Sequence, residues 1–252
     1  MATQVAGNAR NILVGASPLF ISNLDVTSAG YVENAEAGTL YPSTGTVQVP
    51  AFVAPKAATT TPTVAPATAG ESYTDTLNKI DAKAATDAGK FAYRNVGYTN
   101  NGLQITYNPS YGSVTVDQLL DTAKLFKETM EVMIATEMAE GTLENVLAVF
   151  GQGSGTLTES GKKLGLAGGA LGEAPTERQL IAVGQAPTST TDTATERIYY
   201  ARRVLSVQQS QFSLARNAAS TFPVTFRLLP DGSKQGTEYG FIVDRVLSKP
   251  VA

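Results

Sequence analysis

The sequence predicts a mainly β protein of the α+β class: an antiparallel β-sandwich or barrel-like domain with one packed short helix and long loop insertions. Three observations carry this. Apolar and polar residues alternate in several short segments, the period of a half-buried strand. Turn-forming Pro, Gly, Asn and Asp separate those segments. One stretch alone combines a good N-cap with an apolar stripe at helical spacing. No repeat period is visible, and residues 1–252 read as a single domain.

The N-terminal piece reads as an exposed arm followed by a strand or hairpin. Ile12, Leu13 and Val14 precede Gly15, and Leu19, Phe20 and Ile21 follow Pro18. The composition then shifts: residues 38–72 are rich in Pro, Thr and Ala, and Lys56 is the only charge from Gly38 to Gly70. Prolines at 42, 50, 55, 62 and 66 exclude a helix or a central strand, so the segment is extended. Two readings stand. Composition alone fits a disordered linker. Val47, Val49, Phe52, Val53 and Val64 instead suit an arm laid on a neighbouring subunit or ring. Asp75 to Ala88 fits a short helix, with Leu77 and Ile80 on one side.

The centre carries the clearest pattern. Leu103, Ile105 and Tyr107 alternate with Gln104 and Thr106; a turn is expected at Asn108–Gly112; Val114 and Val116 then alternate with Ser113, Thr115 and Asp117. The expectation is a hairpin with one apolar and one small polar face. Gln118 to Glu128 reads as a short helix or an irregular crossover. Met130, Val132 and Ile134 alternate with Glu131, Met133 and Ala135 in a strand running towards Glu137. Thr142-Leu143-Glu144-Asn145 opens a helix: Thr142 caps it, Glu144 meets the positive end of its dipole, and Leu143, Val146, Leu147 and Phe150 form its stripe. Gly151 ends it. A Gly-rich loop insertion follows over 151–175. Strands are expected at Arg178–Val183, Arg197–Val207, Phe222–Leu229 and Tyr239–Leu247, with a turn at Pro230-Asp231-Gly232.

Composition narrows the chemistry. The protein has no Cys, His or Trp. That removes imidazole bases and ligands, nucleophile systems built on His, thiol chemistry and Cys-bound metals. No catalytic residues, metal or cofactor are expected. A net charge of −3 argues against a protein that grips phosphate backbones. Charged residues are 16 % of the sequence, against about 25 % in ordinary soluble domains, so part of the surface is expected to be covered by another surface. Met1 to Gly15 lacks the basic and apolar regions of an export signal, and Leu164 to Gly172 is far short of the ~20 apolar residues of a membrane span. The expectation is a protein made and kept soluble in a cytoplasm, without a membrane partner.

Three motifs have tempting functional readings. Gly155 to Lys163 resembles a phosphate-binding loop, but the spacing is one residue too long and Lys163 stands where a hydroxyl is needed. A charged surface turn is the better account. Arg197, Arg202 and Arg203 beside Tyr199 and Tyr200 could bind single-stranded nucleic acid, yet there is no second basic cluster, and arginines paired with carboxylates are expected. Glu131, Glu137 and Glu140 read as a charged strand face rather than an acid–base pair or metal site.

Asn95-Val-Gly-Tyr-Thr-Asn-Asn-Gly-Leu-Gln-Ile-Thr-Tyr-Asn-Pro, then Val114-Thr-Val-Asp-Gln, then Ala139-Glu-Gly-Thr-Leu-Glu-Asn-Val-Leu resemble, in that order, the major tail (tail tube) proteins of long-tailed, non-contractile bacteriophages. The first strand (ILVGASPLFIS) and the last pair (TFPVTFRLLPDG with YGFIVDRVL) are also similar to that family's. The resemblance implies a tail-tube β domain that forms six-fold rings stacked into a hollow tube. It implies a virion protein made in the host cytoplasm. The implied partners are further copies of the same protein, a tape-measure protein, tail-end proteins and viral DNA in transit. In that setting the small polar face, Gln104, Thr106, Ser113, Thr115 and Asp117 with Glu131 and Glu137, is expected to line the channel and to offer DNA no cation. The alternatives are a related ring component, such as a tail terminator or secretion-type tube, and a monomeric β-sandwich binding module.

Overall fold

A computed structural model describes residues 17–22, 74–75, 93–118, 121–159, 162–173, 175–187, 195–207 and 220–246. The protein is mainly β and antiparallel. Among the described residues the strands are β1 (Leu19–Ser22), β2 (Tyr93–Asn95), β3 (Thr99–Thr115), β4 (Thr122–Met138), β5 (Leu157–Thr158), β6 (Lys163–Leu164), β7 (Arg178–Gln185), β8 (Thr195–Ser206), β9 (Phe222–Leu228) and β10 (Gly240–Val246). One α-helix, α1 (Leu143–Val149), and a 3-10 turn at Ser154–Thr156 lie between β4 and β5. Eight strands form one open sheet in the order β2-β1-β7-β8-β9-β4-β3, with β10 also on β8; β5 and β6 make a small second sheet. The segment 38–72, with Val47, Val49, Phe52, Val53 and Val64, lies outside the described residues, as do Ile12–Val14 and almost all of Asp75–Ala88.

Period-two patterning builds the core. Phe222, Val224, Phe226 and Leu228 of β9 are buried while the residues between them are more exposed. They stand opposite or beside Val132, Ile134, Thr136 and Met138 of β4, which alternate in the same way. Burial of each large side chain is worth about 1.5–3 kcal/mol, enough to fix this register. β1 is buried throughout, and so is β7 from Arg178 to Val183, on both faces, so these strands are central. The buried Arg178 is held by the Ser22 and Gln152 carbonyls, each at 2.8 Å.

β9 and β10 run in succession along one edge of β8. Leu228 is opposite Val204, and Gly240 is opposite Ala201. The loop between them is pinned by Arg202, which is 1 % exposed. Its Nε donates to the Thr237 carbonyl at 2.8 Å, and its guanidinium lies over Tyr200 and Phe241.

The helix begins and ends as its sequence predicts, but its buried face is shifted: of the expected stripe only Leu147 is buried, Val146 and Phe150 are partly buried against the core, and Leu143 is half-exposed. The Thr142 hydroxyl accepts the Asn145 N–H at 3.3 Å. At the other end Gly151 takes φ +63°, and N–H groups of Gly151 and Gln152 return to the carbonyls of Ala148 and Leu147. Leu147, Ala148 and Val149 are buried.

Two expectations are corrected at the centre. Asn108–Gly112 is not a turn: β3 runs unbroken from Thr99 to Thr115. Gln118–Glu128 is neither helix nor crossover, because β4 already starts at Thr122, and the backbone reverses between the two strands. Pro109 is tolerated because β3 is the terminal strand of the sheet among the described residues, where a missing ladder donor costs little. At Gly112 the Phe126 ring and the Glu128 carboxylate occupy the space a Cβ would take, each 2.6 Å from it.

Candidate functional site

β9 supports β4 only from Met133 to Met138. From the Tyr107–Val132 pair to the Thr115–Thr122 pair, no other strand among the described residues pairs with β3 and β4, which form a two-stranded ribbon that extends about 27 Å at the usual strand rise; near its base the Tyr239 hydroxyl reaches the Met130 carbonyl. Its side chains are largely exposed, including Tyr107 (61 %), Tyr111 (60 %) and Leu125 (64 %). A two-stranded ribbon lacks the third strand that usually stabilises such a pair.

Residues opposite one another across an antiparallel pair share a face. On one face Ile105, Tyr107, Pro109, Tyr111 and Ser113 stand with Ile134, Val132, Met130, Lys127 and Leu125. The Lys127 ammonium donates to the Tyr107 hydroxyl at 3.2 Å and lies 5.5 Å from the ring centre. At the ribbon base this face opens into a groove of about 340 Å³ with Tyr199, Tyr239, Phe241 and Ile242 on its far wall. The groove exists because the ribbon departs from β10 after β9 ends, leaving a wedge where the sheet would otherwise continue.

The opposite face carries Gln104, Thr106, Asn108 and Ser110 with Ala135, Met133, Glu131 and Thr129. Glu137 lies on the same side of β4. This revises the expected polar face. Because β3 is continuous, Ser113 and Thr115 have the other parity from Gln104 and Thr106 and point away from them; Asp117 is in the connection beyond the strand. The face also contains a cation: Arg227 stands opposite Met133, and its guanidinium is 3.7 Å from Glu131. Lys124, opposite Val114, adds another towards the tip.

Glu137 and Glu140 also tie parts of the fold together. Glu137 accepts the Thr221 hydroxyl and, at 2.5 Å, the Asn101 amide. Glu140 accepts the Tyr98 N–H at 3.0 Å, and its carboxyl fills the space beside Gly97, which has φ +82°. Asn145 is 1 % exposed: its Oδ1 accepts Arg94 at 2.6 Å, and its Nδ2 donates to the carbonyls of Val96 and Glu140. Sequence reasoning missed this knot of Arg94, Glu140 and Asn145, with Gly97 held beside it by its N–H to the Asn95 Oδ1 at 2.9 Å. An Asn inside a helix was the available signal, since that residue favours helices poorly and needs a reason to be there.

Arg197 and Arg203 of β8 pair with carboxylates, as expected, and Arg202 donates to the Thr237 carbonyl and hydroxyl. Arg197 binds Asp244 through two hydrogen bonds of 2.5 and 2.7 Å. The Asp244 hydrogen bonds raise the Arg197 pKa above its ordinary range, and the same contact lowers that of Asp244. Arg203 forks onto Glu177 at 2.6 and 2.8 Å. The P-loop-like stretch is a 3-10 turn leading into the β5–β6 pair, and its Lys163 faces Glu159 at 3.4 Å. No group of three metal-binding side chains occurs among the described residues, and none of their helices is long and apolar enough to cross a membrane.

Comparison with protein-family models finds no match to this protein, and comparison with curated proteins finds none either. The ribbon, its two unlike faces and the groove at its base are therefore the features on which a functional reading is built.

Proposed function

We propose that this is a structural virion protein that self-assembles into stacked six-fold rings, forming the hollow tube of a long non-contractile phage tail through which DNA reaches the host. The β3–β4 ribbon carries the reading. A monomer normally covers or breaks a long edge strand, whereas here a 17-residue edge strand bears exposed Tyr, Val and Ile side chains. Neighbouring copies that continue the sheet and cover the ribbon would satisfy both the backbone edge and the apolar face. The resemblance in the Asn95–Pro109, Val114–Gln118 and Ala139–Leu147 segments supports the same assignment. Tape-measure and tail-end proteins would then be its other partners, and DNA would pass without sequence-specific contact.

In this arrangement the channel face is the base of the polar side, Gln104, Thr106, Glu131 and Glu137, with Arg227 held beside Glu131; Lys124 lies on the same side but at the ribbon tip, outside this stretch. Small neutral and acidic groups leave a sliding polyanion little to hold, because each unpaired cation would release counterions and bind phosphate.

The groove of about 340 Å³ favours a second reading, a monomeric binding module whose ligand lies against Tyr199 and Tyr239. Electron microscopy of the purified protein separates the possibilities. Tubes of uniform bore are expected; isolated rings would indicate a terminator-like component, and small featureless particles the binding module.

A further inference from the structure

Asn101 is the only asparagine in the sequence followed by glycine. The pair sits in a bulge: the β3–β4 register passes from Asn100–Glu137 to Gln104–Ala135, so residues 101–103 are skipped. Asn101 and Gly102 both have left-handed backbone, at φ +59° and +68°, and both are exposed. Asn tolerates that conformation better than other side chains, and Gly adopts it freely. Nothing lies within 4 Å of where a Gly102 Cβ would be.

From this geometry we infer that Asn101 is a site of spontaneous deamidation in the folded protein. The chemistry needs only water. The Gly102 backbone nitrogen attacks the Asn101 Cγ and forms a five-membered imide; the Cγ–Nδ2 bond breaks, and Nδ2 leaves as ammonia. The proton of the attacking nitrogen completes that leaving group. Water then opens the ring at either carbonyl, giving aspartate or, through the β-carboxyl, isoaspartate. A substituent on the Cα of residue 102 would crowd the attacking nitrogen; Gly102 presents none. Residues 101–103 lie outside the ladder register, so the backbone can turn towards Cγ once the Asn101 amide leaves Glu137 and the Gly102 carbonyl leaves the Thr136 hydroxyl that donates to it at 3.0 Å.

The product changes one defined contact. The Asn101 amide donates to Glu137 Oε2 at 2.5 Å, and Glu137 also accepts the Thr221 hydroxyl. Deamidation replaces that donor with a second carboxylate, so an attraction at the junction of β3, β4 and the entry to β9 becomes a like-charge contact. Isoaspartate also lengthens the backbone by one methylene within the bulge. The inference rests on these residues and is independent of the tail-tube reading.

The test is peptide mass spectrometry of the full-length protein incubated in warm, mildly alkaline buffer, with a sample unfolded in urea alongside. The expected result is replacement of NH₂ by OH at residue 101, as mixed aspartate and isoaspartate, several-fold faster than at any other asparagine. Asn101→Gln, which would have to close a less favourable six-membered ring, should remain unmodified at 101. An unchanged residue 101 in the folded protein while the unfolded sample deamidates would overturn the inference, because the bulge would then be protective. Asn101→Asp should lower the thermal midpoint more than Asn101→Gly, since only Asp opposes Glu137 with charge. Equal shifts would overturn the like-charge consequence.

Discussion

Replacing Asn145 by Ala removes a buried amide whose three side-chain hydrogen bonds join separate parts of the fold. One is charge-assisted, from Arg94 at 2.6 Å; the other two run to the carbonyls of Val96 and Glu140 at 2.8 and 2.9 Å. A net neutral hydrogen bond contributes about 1 kcal/mol and one to a charged group about 1.5–3 kcal/mol, so the sum is about 3.5–5 kcal/mol. The higher helix propensity of Ala returns only about 0.5 kcal/mol of this. A loss of about 3–4.5 kcal/mol is expected, a large part of the 5–15 kcal/mol that holds an ordinary domain folded. Urea unfolding followed by far-ultraviolet circular dichroism measures it as a lower midpoint at unchanged slope. Thr142→Ala on the same helix loses only the cap, about 1 kcal/mol, and serves as the control. If Asn145→Ala costs no more than Thr142→Ala, the buried amide is not a structural knot and the argument fails.

Four further outcomes are expected. Leu125→Asp at the exposed ribbon should change monomer stability by no more than about 0.5 kcal/mol yet abolish tubes in electron micrographs; normal tubes would remove the ribbon from the assembly surface. Gly97→Ala should destabilise by at least about 1–2 kcal/mol in thermal unfolding, because φ there is +82° and the new Cβ would meet the Glu140 carboxyl. Asp244 is held below its usual pKa by its hydrogen bonds to Arg197, so its contribution is present above the unfolded value and disappears as pH falls through the folded one. Because that carboxylate is half exposed, Asp244→Asn should flatten the acid limb of the stability profile by less than about 1 kcal/mol, and an unaltered limb would contradict the assignment. Thr106→Lys should leave tubes intact while slowing genome delivery in a phage ejection assay; unimpaired ejection would take Thr106 out of the channel.

Much of the framework was legible because it is written in local patterns. β7 to β10 follow strand-forming residues set between turn residues, β9 most clearly by its alternation, and α1 follows its Thr142 cap and Gly151 stop. The ribbon was misread for an equally local reason. Asn-Pro-Ser-Tyr-Gly is good turn chemistry, and Lys-Leu-Phe-Lys-Glu mixes charge and bulk as a helix does. Long-range pairing overrides both: Ser110 meets Thr129 and Gly112 meets Phe126 across the ladder. The misplaced turn also mixed the two faces, since continuity of the strand decides whether Thr106 and Thr115 point the same way. The arginine pairs were anticipated in kind, but neither Asp244 nor Glu177 could be named, because they lie 47 and 26 residues from their partners in sequence.

β4 is a single strand from the ribbon end at Thr122 to the core at Met138, which gives the molecule a mechanical grain. A pull along the ribbon loads the ladder from Met133–Arg227 to Met138–Phe222 in shear, so its bonds resist together. A sideways push on the ribbon instead concentrates force on the Met133–Arg227 pair and peels the ladder open one bond at a time. The bulges near Ser110 and Val114 are the first places to bend. The protein is thus stiff in tension along β4 and compliant across it, and a load at Leu125 is carried as tension to Ile134 and Phe226.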